Sequence, residues 1–197
     1  IGPTGAGKSF LIKETEITQT LLSTDDDLQI IDPQNETQNV CAMYGGLFLD
    51  FTPKSDIHIN PMEVPLSLFK AGTKKDRELF IADVTKWATS FTEAIMKKIV
   101  YTQEHSNFIE QAVQNVYDKV FSRNNLIQPT IKDVRKELMI LEDNNENAHD
   151  KKIIHEMVNC LYSYTDGVYD MFAYPSDVDI STYRLVAFGL KNVDENY

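Results

Sequence analysis

Apolar residues recur at Phe80, Val84, Trp87, Phe91, Ile95 and Ile99, in steps of three and four that gather them on one face of a helix. The pattern predicts a helix from position 76 to about 105. A second stripe, Phe108, Ala112, Val116 and Val120 with Ile109, Val113, Tyr117 and Phe121 beside it, predicts another that stops near Asn124 and Asn125. Thr130 with Asp133 has the form of a capping box, Asp standing where Glu is usual, and opens a third helix through Ile131, Val134, Leu138 and Leu141. Residues 142–150 are acidic, Asn-rich and poor in apolar side chains, which predicts a loop. Ile153, Ile154, Met157, Val158, Leu161 and Tyr162 then mark a fourth helix. These stripes predict an all-helical insertion at 76–164, with its Met and aromatic residues serving as core rather than as a cofactor box.

On either side the pattern shortens to β-rich runs. Leu28, Gln29, Ile30 and Ile31 lead to Asp32, and Pro33 cannot donate to a further ladder. Residues 37–44 suit a short helix stopped by Gly45 and Gly46. Residues 47–51 predict a second strand and 57–59 a third, clipped by Asn60 and Pro61. Upstream, the stretch from Lys8 to about Ser23 carries Leu11, Ile12, Leu21 and Leu22 at helical spacing. Residues 167–181 read as irregular and 184–190 as a last strand. Such alternation predicts an α/β sheet, with 1–75 and 165–197 supplying the sheet core and the helical segment inserted between them.

Composition adds limits. With 42% apolar and 25% charged residues the chain is an ordinary globular one. No apolar run reaches the ~18 residues of a membrane span, and no basic start with an apolar h-region marks a secretory signal. The net charge of −11, from 30 acids and 19 bases, opposes a direct grip on nucleic acid, since phosphate backbones would be repelled. The basic cluster Lys74, Lys75 and Arg77 is small and reads as a solvated turn. Cys41 and Cys160 lack redox or metal spacing and suit reduced thiols of a cytosolic protein, while His58, His105, His149 and His155 show no metal-ligand pattern.

The chemistry lies near the start. Gly2-Pro3-Thr4-Gly5-Ala6-Gly7-Lys8-Ser9 is a complete phosphate-binding P-loop. Its glycines let the backbone from Thr4 through Ala6 and Gly7 form a nest of amides, and the helix opening at Lys8 and running through Phe10 aims further N–H groups at the same charge. Lys8 supplies a cation for the outer phosphates and the Ser9 hydroxyl a ligand for Mg²⁺, so the expected cofactors are ATP and Mg²⁺. A Walker-B acid is not evident. Asp32 follows an apolar strand but comes one strand too early, and Asp194-Glu195 follows the polar Lys191-Asn192-Val193, which places the expected Walker B beyond Tyr197. Asp32 and Glu36 leave two readings open. They are either acids at the ligand-binding edge of the sheet, acting in catalysis, or a turn in which Asp-Pro starts the reversal and Glu36 favours the next helix.

Taken in succession, the P-loop at 2–10, Ile30-Ile31-Asp32-Pro33-Gln34-Asn35-Glu36, Gly45-Gly46 and Ile59-Asn60-Pro61 resemble the VirB-type ATPases of type IV secretion and conjugation, and with them the wider FtsK–HerA class of hexameric translocases. Pro129-Thr130 and the 186–190 strand are similar as well. The resemblance implies a RecA-like sheet with a helical insertion, incomplete at both ends, and ATP hydrolysis in a larger parent protein. It also implies a hexamer, secretion-channel proteins of the membrane as partners, and a cytoplasmic location at the inner membrane face. The strand ahead of the loop, the Walker-B acids and an arginine finger would all lie outside this chain, which alone is expected to be inactive. Two rivals remain: a P-loop kinase of a small substrate, and a helical interaction module that keeps a nucleotide site. The four scattered arginines, Arg77, Arg123, Arg135 and Arg184, count against the kinase.

Overall fold

A computed structural model describes residues 17–52, 57–97 and 99–191. The P-loop at 2–9, Phe10 and the pair Asp194-Glu195 lie outside the described residues. The chain divides into two compact units, Ile1–Ile57 with Val178–Tyr197, and His58–Asp177.

The first unit holds helix α1 (Thr18–Ser23), strand β1 (Leu28–Asp32), helix α2 (Gln38–Met43) and strand β2 (Leu47–Asp50). Strand β3 (Leu185–Gly189) joins them from the far end of the chain. The three strands form a parallel sheet in the order β1-β3-β2. Parallel neighbours need long crossovers. Here α2 lies in the connection from β1 to β2, and the whole second unit lies in the connection from β2 to β3. One sheet face, with Leu28, Ile30, Leu185 and Ala187, packs against Ile17 and Leu21 of the α1 region and Val40 and Cys41 of α2. The opposite face presents Gln29, Ile31, Phe188 and Leu190, with Phe51 stacked on Phe188 at 5.9 Å.

Local chemistry explains the ends of these elements. Helix α2 stops where Gly45 takes φ +67°, a backbone that glycine adopts without cost. The Gly46 N–H then donates to the Cys41 carbonyl at 2.7 Å, the long bond that closes a helix C-terminus. At the amino edge of the sheet, the Arg184 guanidinium donates to the carbonyls of Leu21, Thr24 and Asp26, which ties the end of α1 to the start of β3.

The second unit contains α3 (Leu66–Ala71) and four long helices: α4 (Lys74–Ile95), α5 (Gln103–Phe121), α6 (Ile131–Asn144) and α7 (Ala148–Thr165). Their apolar faces meet in one core, in which Ile109, Tyr117, Leu138, Ile154, Met157 and Leu161 are fully buried. Tyr117 reconciles its hydroxyl with that burial by donating to the Met62 carbonyl at 2.6 Å. Trp87 is half-buried, stacked on Phe91 at 5.3 Å and edge-on to Phe172. The first and last residues of the unit are clasped together: the His58 N–H and Nδ1 both approach Asp177 Oδ2, at 2.8 and 2.7 Å, and the Asp177 N–H donates back to the His58 carbonyl.

Three expectations are corrected here, and one short helix is added. The helix predicted to run to about 105 ends at Ile95, and a new helix begins at Gln103. Ile99 keeps the apolar rhythm because it packs on the core from a non-helical link. The break is made by Thr102, whose N–H donates to His105 Nδ1 in a capping box with His in the usual Glu place. The loop predicted at 142–150 shrinks to 145–147, because the polar residues around it are exposed ends of α6 and α7. Residues 57–59 form no strand, although the Ile59 N–H donates to the Met171 carbonyl. Helix α3 was not foreseen, being only 6 residues long.

Candidate functional site at the carboxyl edge of the sheet

The three strands end in one row. Asp32 of β1 and Asp50 of β2 are both in register with Gly189 of the central strand β3. By the period of two along a strand, Asp32 follows Leu28 and Ile30 onto the helix-covered face, and Asp50 follows Phe48. Two carboxylates thus flank a glycine at the carboxyl edge of a parallel sheet, where open α/β folds bind their ligands.

Asp32 is buried, at 6% exposure, and its carboxylate is heavily engaged. Oδ2 accepts from the Thr37 N–H at 2.7 Å and the Thr37 hydroxyl at 2.6 Å, and Oδ1 accepts from the Gln34 N–H at 3.2 Å. Burial by itself would raise the Asp32 pKa. Hydrogen bonds from Thr37, then from the Glu36 and Gln34 amides, outweigh it and hold the carboxyl below its ordinary value. A carboxylate so satisfied is a weak base, well suited to anchoring the turn. Glu36 is exposed on that same turn. The structure therefore brings Asp32 and Glu36 to one reversal at the carboxyl edge, with the first holding the backbone that carries the second.

Sequence reasoning overlooked Asn35, Asp50 and Gly189. Asn35 has φ +55°, a left-handed backbone that Asn tolerates better than most residues. Its Nδ2 donates to Asp50 Oδ1 at 2.9 Å and its Oδ1 accepts from the Lys191 N–H at 3.2 Å. Gly189 makes room for this amide, since a Cβ there would lie 2.5 Å from Asn35 Oδ1 and 2.6 Å from Phe48 Cζ. A strand ending in Asp, as at Asp50, repeats the signal that drew attention to Asp32, and could have been found the same way.

The other candidates resolve differently. Among the described residues no group of three or more His, Cys, Asp or Glu side chains could hold a metal. Among the described residues no helix is long and apolar enough to cross a membrane. Burial pushes the Cys41 and Cys160 thiols up, away from the reactive thiolate. Of the basic cluster, Arg77 packs over the Phe121 ring at 4.7 Å and donates to the Phe69 carbonyl, so its role is internal. Arg135 and Arg184 are likewise spent on contacts within their own units.

A family model described as the TraG P-loop domain matches residues 1–197, the whole chain. The chain belongs to the TraG P-loop domain family. As a TraG P-loop domain it is an α/β nucleoside-triphosphatase fold, which accords with the parallel sheet and its covering helices. It is similar in structure to VirB4 of Thermoanaerobacter pseudethanolicus, with a TM-score of 0.68 at 19% identity, over 98% of this chain and 50% of that one. The TraG P-loop domain described here thus spans about half the length of that solved chain. Among curated proteins none matches it.

Proposed function

We propose that this chain is the nucleotide-binding part of an ATPase that powers conjugative transfer or type IV secretion. The observation that carries the reading is a complete P-loop at 2–9 in a chain that the TraG P-loop domain covers from end to end. Thr4, Gly5, Ala6 and Gly7 would offer backbone amides to the phosphates of ATP, Lys8 a cation, and Phe10 the first turn of the helix behind them. Ser9 would hold Mg²⁺, which when bound neutralises charge on the phosphate oxygens. The carboxyl edge fits this ligand. It is the edge at which open α/β folds bind their ligands, and it carries Asp32, Glu36 and Asp50.

In this reading Asp32 fixes the turn, and Glu36 would be the acid that orients the attacking water. Segments 1–75 and 165–197 belong to the ATPase core, and 76–164 is a helical insertion within the compact unit His58–Asp177. The full-length protein would assemble as a hexamer against secretion-channel proteins at the cytoplasmic face of the membrane. With a net charge of −11 this segment itself would not grip nucleic acid. The test is calorimetric titration of Mg-ATP into the full-length protein and its Lys8→Ala variant. Affinity is expected to drop more than about tenfold, and equal affinity would remove the assignment.

A further inference from the structure

We propose that Asn35 is a positioning residue for turnover, locking the turn that carries Glu36 to the ends of both other strands. The proposal rests on the ATPase reading above and deepens it. Asp32 ties the turn from within, through Gln34 and Thr37. Asn35 ties it from without, through Asp50 at the end of β2 and the Lys191 N–H just after β3. Three features converge on this one residue: a left-handed backbone, an amide that donates on one side and accepts on the other, and a neighbour, Gly189, whose missing Cβ leaves the amide its space. A turn that merely reversed the chain would need the first of these and neither of the others.

The consequence concerns Glu36, which follows Asn35 directly and is exposed at the same edge. An acid that orients water must be held in place, and a misplacement of about 1 Å can cost on the order of a hundredfold in rate. Nucleotide affinity comes from the P-loop amides and Lys8, so loosening this turn should reach kcat and leave binding nearly untouched. The same clamp makes the position of Glu36 depend on the ends of β2 and β3.

Three variants of the full-length ATPase test this. Asn35→Gly keeps the left-handed backbone accessible and removes both side-chain bonds. Asn35→Asp keeps an acceptor for Lys191 but sets a carboxylate against Asp50. Asn35→Asp combined with Asp50→Asn restores a donor–acceptor pair with the roles exchanged. We expect kcat for Mg-ATP to fall about tenfold or more in each single variant, with KM within about twofold and the protein still fully folded at the assay temperature. The exchange should recover most of the lost kcat. Wild-type kcat in Asn35→Gly, a double variant no faster than Asn35→Asp, or a loss that simply follows a lowered melting temperature would each overturn the proposal. Turnover that does not depend on Lys8 in the otherwise wild-type protein would sink the ATPase reading instead, so the two failures are distinguishable.

Discussion

His105 shows how much one side chain can be asked to do. It is buried at 3% exposure, and its Nδ1 accepts from the Thr102 N–H at 3.1 Å to cap α5. The neutral ring therefore carries its proton on Nε2, which is buried without a hydrogen-bond partner among the described residues. Burial lowers the His105 pKa, and the charges of Glu156 and Glu104 offset only part of that. With a folded-state pKa below the unfolded value of about 6.5, the unfolded chain binds the extra proton first. The contribution of His105 to stability is then complete above about pH 6.5 and is lost as pH falls toward the lowered pKa. Protonated Nδ1 can no longer accept from Thr102, so the cap goes with it. Urea unfolding at several pH values should show this loss, and His105→Gln, which can cap through its side-chain oxygen without titrating, should flatten that part of the profile. An unchanged profile in the variant would show that the acid sensitivity lies elsewhere. Asp32, whose pKa is lowered too, loses its contribution at a more acid pH, below the ordinary carboxylate range, so the two can be separated.

Among the elements, the row Asp32–Gly189–Asp50 is closely built, since a Cβ on Gly189 would meet both Asn35 and Phe48. Gly189→Ala would push a methyl group into Asn35, which two hydrogen bonds restrain, and into Phe48, which packs on the sheet core. Overpacking of this kind costs about 1–3 kcal/mol, and denaturant unfolding should register it. Adding Asn35→Gly removes one of the two obstructions, so the double variant should lose less than the sum of the singles. Strict additivity would mean that the methyl group meets only Phe48. The strands of this row were legible in the sequence because a short apolar run bounded by Pro or Gly is a local signal, as in Leu28–Asp32 ahead of Pro33. The helical stripes were legible for the same reason. What escaped was long-range or chemically unusual. The gap between α4 and α5 hides behind a His capping box and an Ile99 that packs on the core, partly buried, without being helical. Asn35 and Gly189 acquire meaning only when residues 154 apart are brought together, a pairing no local pattern announces.

For the molecule as a whole, the pressing question is whether this chain can turn ATP over alone. It spans about half of the VirB4 chain it resembles, so the elements supplied by the other half are those most open to test. Phosphoryl transfer is mostly positioning and electrostatics, with little covalent work for the protein. A Walker-B acid helps hold Mg²⁺, and an arginine near the γ-phosphate stabilises charge that develops during transfer, an effect worth ~10³–10⁵ in rate in related systems. Within the chain, Arg77, Arg135 and Arg184 are committed to internal contacts, which leaves Arg123 among the four without such a task in the described structure. The carboxyl edge holds acids but offers Asp32 as an anchor rather than as a base. We therefore expect the 197-residue chain to release phosphate from ATP no faster than its Lys8→Ala variant, while the full-length protein does so at least a hundredfold faster, a conservative share of the ~10³–10⁵ attached to the arginine term. Turnover by the chain alone, clearly above the Lys8→Ala background and abolished by Asp194→Asn, would overturn this expectation. It would assign the Walker-B role to Asp194 and Glu195, in spite of the polar residues that lead up to them.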